Sequence, residues 1–134
     1  MKKVLIVLGA VAVVCAAGVF IFSMKLHAMM KFFTEYSIKN VEFAAVPDGV
    51  YRGQCGVFLV AAELEAKVRD HRVSDIRILK QRCGKVYDGR LVVDRVLKEQ
   101  TLNVDAVAGA TASSRCILIA LERALTSAGS GSPQ

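Results

Sequence analysis

The strongest chemical signal in the chain lies in residues 105–116, which read DAVAGATASSRC. Small residues come first, three hydroxyl side chains follow, and an apolar run with helical spacing begins directly after them. The first turn of a helix carries backbone N–H groups without partners inside the helix, and the helix dipole adds positive potential there. The segment therefore predicts a phosphate-binding site.

The side chains of this segment can be assigned roles one by one. Gly109 lets a ligand approach the backbone, and Thr111 offers an oxygen that can be bonded covalently. Ser113 and Ser114 can donate further hydrogen bonds to a phosphate, while Arg115 either pairs with the phosphate or faces solvent. The alternative is ordinary N-capping of an amphipathic helix by hydroxyl side chains.

These residues resemble the flavin-attachment motif of the FMN-binding domain family, which reads Asp-x-x-Ser/Thr-Gly-Ala-Thr. Asp105, Gly109, Ala110 and Thr111 match the motif, and Ala108 stands where the family prefers a hydroxyl. The resemblance implies FMN joined to Thr111 by a phosphoester, with Asp105 ordering the loop or serving recognition by a flavin transferase. The missing hydroxyl at Ala108 would cost the phosphate site about 1 kcal/mol, which a covalent ester does not need.

The resemblance extends over residues 47–126. Residues 47–53 look like the family's Asp-Gly-x-Tyr-x-Gly opening, and 73–79 look like its Ile-x-x-Ile-x-Ile strand. Residues 99–107 are similar to the segment that leads into the attachment site. The chain thus resembles small membrane-anchored flavoproteins and the FMN-carrying subunits of Rnf-type and sodium-pumping quinone reductase complexes.

A role in electron transfer with membrane redox partners is what the resemblance implies. The sequence offers no nucleophile–base–acid set, since His27 follows the apolar segment and His71 lies in a turn. An electron carrier needs no such set, because the flavin supplies the redox chemistry. Two alternatives remain: a subunit that supplies one flavin to a larger reductase, and a non-redox binding or scaffold module that has lost attachment, with Ala108 as its first sign.

Hydrophobicity and positive charge are both concentrated at the N-terminus. Residues 4–22 contain no charge and no proline, and as a helix they would rise about 28 Å, close to the thickness of a bilayer core. Residues 1–31 carry four lysines and no acid, whereas the remainder carries 14 basic and 12 acidic residues. The net charge of +6 therefore indicates lysines that flank a membrane-spanning segment and contact lipid, rather than a nucleic-acid-binding face.

The chain divides into four predicted parts. Residues 1–24 are a single-pass signal anchor in the cell membrane, favoured over a cleaved signal because no small-x-small site follows the apolar core. Residues 25–46 are a juxtamembrane connector with partly helical spacing, 47–126 the FMN-binding domain, and 127–134 a disordered polar tail. The short N-terminal tail and the family resemblance favour an extracytoplasmic C-terminal domain.

Patterning predicts an α+β domain, a small antiparallel sheet followed by two helices. A first strand spans residues 50–56, and alternation over 57–69 and 73–79 predicts a hairpin that turns at residues 70–72, with the turn type open. A helix is predicted at 88–98, with Leu91, Val92, Val96 and Leu97 on its apolar side, and a second at 111–126.

The cysteines after the anchor leave one question open. Cys55 and Cys83 can either form a disulfide outside the cytoplasm or remain free thiols, which we favour, and Cys116 is predicted to be a core thiol. The spacings match no zinc pattern, so no metal site is predicted. Gln81 and Cys83 stand where many short relatives of the family have His and Asn.

Overall fold

The computed structural model describes residues 1–83 and 89–129. Two compact units make up the chain, Met1–Thr34 and Glu35–Gln134. The first unit is most of a single long helix, α1 (Lys2–Glu35). The predicted connector at 25–46 is thus helical up to Glu35, and a short 3-10 helix follows at Phe43–Ala45.

Helix α1 is long and apolar enough to cross a membrane, by its length and composition. Large apolar side chains are exposed along its length, including Leu5, Ile6, Leu8 and Val14, each at 60% or more of its accessible area. Water solvates such side chains poorly, so this surface suits an apolar surrounding.

The second unit is built on a three-stranded antiparallel sheet with strand order β1-β2-β3. The strands are β1 (Gly49–Val57), β2 (Val60–Arg69) and β3 (Arg72–Arg82), and helices α2 (Leu91–Glu99) and α3 (Thr111–Gly129) follow. The predicted α+β class, with its sheet before its helices and an apolar N-terminal helix, is therefore confirmed.

The turn between β2 and β3 contains two residues, Asp70 and His71, and both have positive φ, 53° and 61°. Positive φ at both central residues is the requirement of a type I′ turn, which fits the twist of a two-residue hairpin. The sequence left this type open because no glycine marks it. Asp and His are among the residues that enter the left-handed region more readily than most.

The predicted alternation of β2 is confirmed, and the irregular spacing in β3 has a structural cause. Leu64, Ala66 and Val68 are at most 2% exposed on the inner face. The pairing register between β2 and β3 shifts twice, so that Ser74 and Leu79 are extra residues in β3. These bulges explain why the inward residues of β3 are not spaced evenly by two.

The helices differ from the prediction at their ends and on one face. Helix α2 begins at Leu91 rather than residue 88, which lies outside the described residues, and buries Val92, Val93 and Val96. The sequence places Leu91 on the apolar side of this helix, but Leu91 is 60% exposed, because the buried face is centred on Val92, Val93 and Val96. Helix α3 continues to Gly129, which corrects the prediction of a disordered tail from 127; residues 130–134 lie outside the described residues.

The backbones of β1 and α3 approach each other at Gly53. A Cβ atom added there would lie 1.9 Å from the Ala120 carbonyl oxygen and 2.8 Å from the Ala124 nitrogen. Only a residue without a side chain allows this distance, so Gly53 sets how closely the sheet and the helix pack. Residues on the buried face of α3, such as Ile117 and Leu121, are fully inside the core as a result.

We predict that Gly53→Ala lowers the free energy of unfolding by about 3 kcal/mol or more, because β1 and α3 must move apart to admit the methyl group. Chemical denaturation monitored by circular dichroism measures this. Gly56→Ala is the matched control on the same strand, since its Cβ would lie 3.5 Å from the Ala61 Cβ, an ordinary contact. Equal losses in the two variants would contradict the close-packing argument.

Candidate functional site

The segment singled out in the sequence forms a turn followed by the start of α3. The amide of Ser114 donates to the Ala110 carbonyl at 2.8 Å, which is the first hydrogen bond of the helix. Ala110 is therefore the N-cap residue, and the amides of Thr111, Ala112 and Ser113 precede that first bond. Thr111 occupies the first helical position with an exposed side chain.

Gly109 has a conformational role in this turn. The Ala110 amide donates to the Val107 carbonyl at 2.9 Å, which closes a four-residue turn with Ala108 and Gly109 at its centre. The φ of Gly109 is 77°, close to the value that the third position of a type II turn requires. A Cβ atom added at Gly109 would have no neighbouring atom within 4 Å, so the space beside this residue is open.

The two serines are placed inside the protein. Ser113 is 3% exposed and Ser114 is 0% exposed. The Ser114 Oγ accepts a hydrogen bond from the Val107 amide at 3.0 Å, and thereby ties the first turn of α3 to the start of the preceding turn. Ser114 thus shapes the loop from within, a role that the sequence reasoning did not assign to it.

Helix α2 supports the same loop from the side. Arg95 donates from Nη1 to the Asp105 carbonyl at 2.8 Å, while the Asp105 side chain is exposed. A Cβ at Gly89 would lie 2.7 Å from the Ser114 nitrogen and 2.9 Å from the Ser113 carbonyl carbon. Gly89, two residues before α2 begins, therefore packs directly on the first turn of α3.

Arg115 lies one helical turn after Thr111, so the two residues share a face of α3. Its Nη2 donates to the Tyr36 carbonyl, and its Nε is buried without a hydrogen-bond partner among the described residues. Arg115 also lines an open groove of about 320 Å³ together with Leu102, Asn103 and Ala106. Arg115 is thus held against the domain and does not simply face solvent, which is one of the two roles expected from the sequence.

The connection between α2 and the loop is fixed by two side chains that the sequence reasoning missed. Gln100 has a positive φ of 53°, and its side-chain amide exchanges two hydrogen bonds of 3.0 Å with the Val73 N–H and C=O, as a neighbouring strand would. Asn40 Oδ1 accepts from the Leu102 amide at 3.2 Å and the Thr101 hydroxyl at 3.0 Å. Both sets of hydrogen bonds join residues that are far apart in the sequence, so no local sequence pattern predicts them.

Gln81 and Cys83 interact with each other and with α2. Gln81 donates from Nε2 to the Cys83 Sγ at 3.3 Å and accepts from the Arg90 Nε at 3.3 Å. All four cysteines are free in the structure. The cysteine that Cys55 meets is Cys116, in α3, whose thiol donates to the Cys55 carbonyl at 3.3 Å.

The family model of the FMN-binding domain matches residues 60–126, half of the chain. The chain belongs to the FMN-binding domain family. FMN is accordingly its cofactor. The match takes in β2, β3, α2, most of α3 and the 105–111 segment, and it begins after the residues 47–53 that resemble the family's opening. No curated protein and no solved structure matched the chain significantly.

The residues of this FMN-binding domain fit the phosphate end of the cofactor. An exposed Thr111 hydroxyl stands at a helix N-terminus, where backbone amides and the helix dipole favour an anion. The buried Arg115 Nε, without a partner in the described chain, is a donor that still needs an acceptor. Exposed Asp105, Ala108, Gly109 and Thr111 lie at the surface, whereas Ala110, Ser113 and Ser114 support them from inside.

We predict that Ser114→Ala lowers the free energy of unfolding of the FMN-free domain by about 1–3 kcal/mol, because the Val107 amide loses its acceptor. It should also accelerate hydrogen exchange at that amide, as measured by mass spectrometry or NMR. Ser113→Ala is the matched control, one residue away and equally buried. Similar behaviour of the two variants would show that the Ser114 bond does not hold the loop.

Proposed function

We propose that the protein is a membrane-anchored electron carrier whose FMN is esterified to the Thr111 hydroxyl. The observation that carries the attachment is the position of Thr111, exposed at the first helical residue after a fixed turn. In this proposal Thr111 Oγ1 displaces AMP from the riboflavin-linked phosphate of FAD, and a separate flavin transferase supplies the catalysis. The domain provides only the acceptor hydroxyl and the loop around it.

Once the ester is formed, this chain's part is to hold a singly charged phosphate diester. The amides of Thr111, Ala112 and Ser113 lie at the positive end of the α3 dipole, and they are the groups best placed to receive it. Arg115, one turn further along the same face, adds a guanidinium charge. The isoalloxazine ring, when bound, supplies the redox chemistry, and the chain supplies position and electrostatics.

The alanine at position 108 does not disturb the loop on which attachment depends. Ala108 is exposed at the centre of the turn, and the turn is held by the Val107–Ala110 hydrogen bond and by Ser114. A hydroxyl at 108 would therefore serve the incoming cofactor or the transferase rather than the fold. This separation supports attachment in spite of the missing hydroxyl.

The alternative is a family member that has lost attachment and acts as a non-redox binding or scaffold module. The same exposed Ala108 is the observation in its favour, because a transferase that required the hydroxyl would pass over this loop. The two proposals differ in one measurable property, the covalent mass of the purified chain.

We predict that the full-length protein, co-expressed with a flavin transferase, gains the mass of FMN minus water, and that Thr111→Ala abolishes this gain. Intact-mass spectrometry and in-gel flavin fluorescence measure the modification. Thr126→Ala, at an exposed threonine near the other end of α3, is the control and should keep full labelling. A wild-type chain without the added mass would support the scaffold module.

The same experiment reports on Ala108. We expect Ala108→Thr to raise the fraction of labelled chains or the rate of labelling, since it restores the hydroxyl of the motif without altering the turn. No change in this variant would mean that the transferase does not read the side chain at position 108.

The long apolar helix supports a cell-membrane location. We propose that the second unit lies outside the cytoplasm. We predict that protease added to intact spheroplasts digests the domain, while an N-terminal epitope before Lys2 stays protected, and that purified chains retain residues 1–24. A cytoplasmic protein that is digested only after lysis serves as the integrity control. Protection of the domain until detergent is added would reverse the orientation.

A further inference from the structure

Two cysteines outside the proposed flavin site meet in the core of the domain. Cys55 lies on the inner face of β1 and is 3% exposed, and Cys116 lies on α3 and is fully buried. The Cys116 thiol donates to the Cys55 carbonyl at 3.3 Å. Strand and helix thus place side by side two nucleophilic groups that are far apart in the sequence.

The two thiols are not equivalent. The neighbouring Cys116 thiol lowers the pKa of the Cys55 thiol, and the nearby Arg123 charge acts in the same direction against the effect of burial. The neighbouring Cys55 thiol, together with burial, raises the pKa of Cys116. Cys55 is therefore the better thiolate and the better nucleophile of the pair.

An open groove adjoins the pair on the Cys55 side. Cys55 lines an open groove of about 530 Å³, where the neighbouring residues include Gly56, Ala61 and Ala62, which leave room for an approaching molecule. Two guanidinium groups are fixed at this groove, since Arg82 donates to the Phe58 carbonyl at 2.8 Å and Arg123 donates to the Gln54 carbonyl at 2.9 Å. Glu63 and Lys80 also line the groove and pair with each other at 3.5 Å, so the two guanidinium groups leave it net positive. Small side chains and this net positive charge suit a small anionic disulfide.

We propose that Cys55 and Cys116 form a redox-active dithiol that closes to an internal disulfide by exchange with a small anionic disulfide entering through this groove. The Cys55 thiolate attacks one sulfur of the small disulfide and releases one thiolate. Cys116 attacks the Cys55 sulfur of the mixed disulfide and passes its proton to the leaving thiolate, which departs as the second thiol. In total the protein loses two protons and two electrons, and the small disulfide becomes two thiols.

This dithiol is independent of FMN attachment, because it uses neither Thr111 nor the turn before it. Closing the bond would join β1 to α3 at the place where Gly53 already brings their backbones together. We therefore expect the oxidised domain to be more stable to heat than the reduced domain, with a Tm higher by roughly 10 °C.

The test uses the full-length chain in detergent, with Cys15→Ser and Cys83→Ser so that only the pair remains. Oxidised glutathione should remove two hydrogens from the intact mass, map a Cys55–Cys116 bond by peptide mass spectrometry, and raise the Tm. Reduced glutathione should reverse all three changes. The same peptide mapping on the unmodified chain provides the result even where the double variant folds poorly.

Single variants show which of the two cysteines reacts first. Cys116→Ser should stop at one glutathionyl group on Cys55, and Cys55→Ser should leave Cys116 unmodified in the folded protein. Three results would overturn the proposal: thiols that stay reduced in oxidised glutathione, a bond in the unmodified chain that joins Cys55 to Cys83, or glutathionylation of Cys116 before Cys55. Loss of FMN labelling alone leaves the dithiol result unaffected and bears only on the proposed function.

Discussion

The close approach of β1 to α3 at Gly53 is the constraint on which the rest of the domain depends. A side chain at this position would overlap the Ala120 carbonyl, so the helix can lie on the sheet only because residue 53 has none. That distance determines the depth at which Ile117 and Leu121 enter the core. It also sets where the first turn of α3, with Thr111 at its start, stands relative to the sheet.

A second set of contacts fixes the position of the loop between α2 and α3. Gly89 packs on the backbone of Ser113 and Ser114, the Arg95 guanidinium holds the Asp105 carbonyl, and the Gln100 amide extends the edge of β3 at Val73. The loop between the helices is thus fastened to strand, helix and turn, and it also buries the side chain of Leu102. The specific hydrogen bonds and the burial of Leu102 together order this loop.

The sequence was sufficient for those features that follow from local periodicity. Alternation in β2 and the apolar run after Thr111 predict a hairpin and a final helix, and the structure contains both. The extra residues Ser74 and Leu79 in β3, and the burial of Val93 in place of Leu91, depend on tertiary packing and leave no local signal. For the same reason the sequence considered Cys83 as a partner for Cys55, whereas the fold provides Cys116. Within the motif, the residue types pointed to the phosphate chemistry, but the burial of Ser113 and Ser114 could be seen only in the folded chain.

The type II turn at Val107–Ala110 has a thermodynamic consequence for any enzyme that modifies Thr111. The turn is closed by its own backbone hydrogen bond, requires the positive φ of Gly109 and is anchored by the Ser114 hydroxyl, so the free protein already holds one shape there. Docking of such a loop loses little conformational entropy, whereas a flexible segment of equal composition would lose about 1–2 kcal/mol for each residue ordered. Recognition can then rest on the shape of the backbone, and the affinity of the modifying enzyme depends less on the number of side chains it contacts.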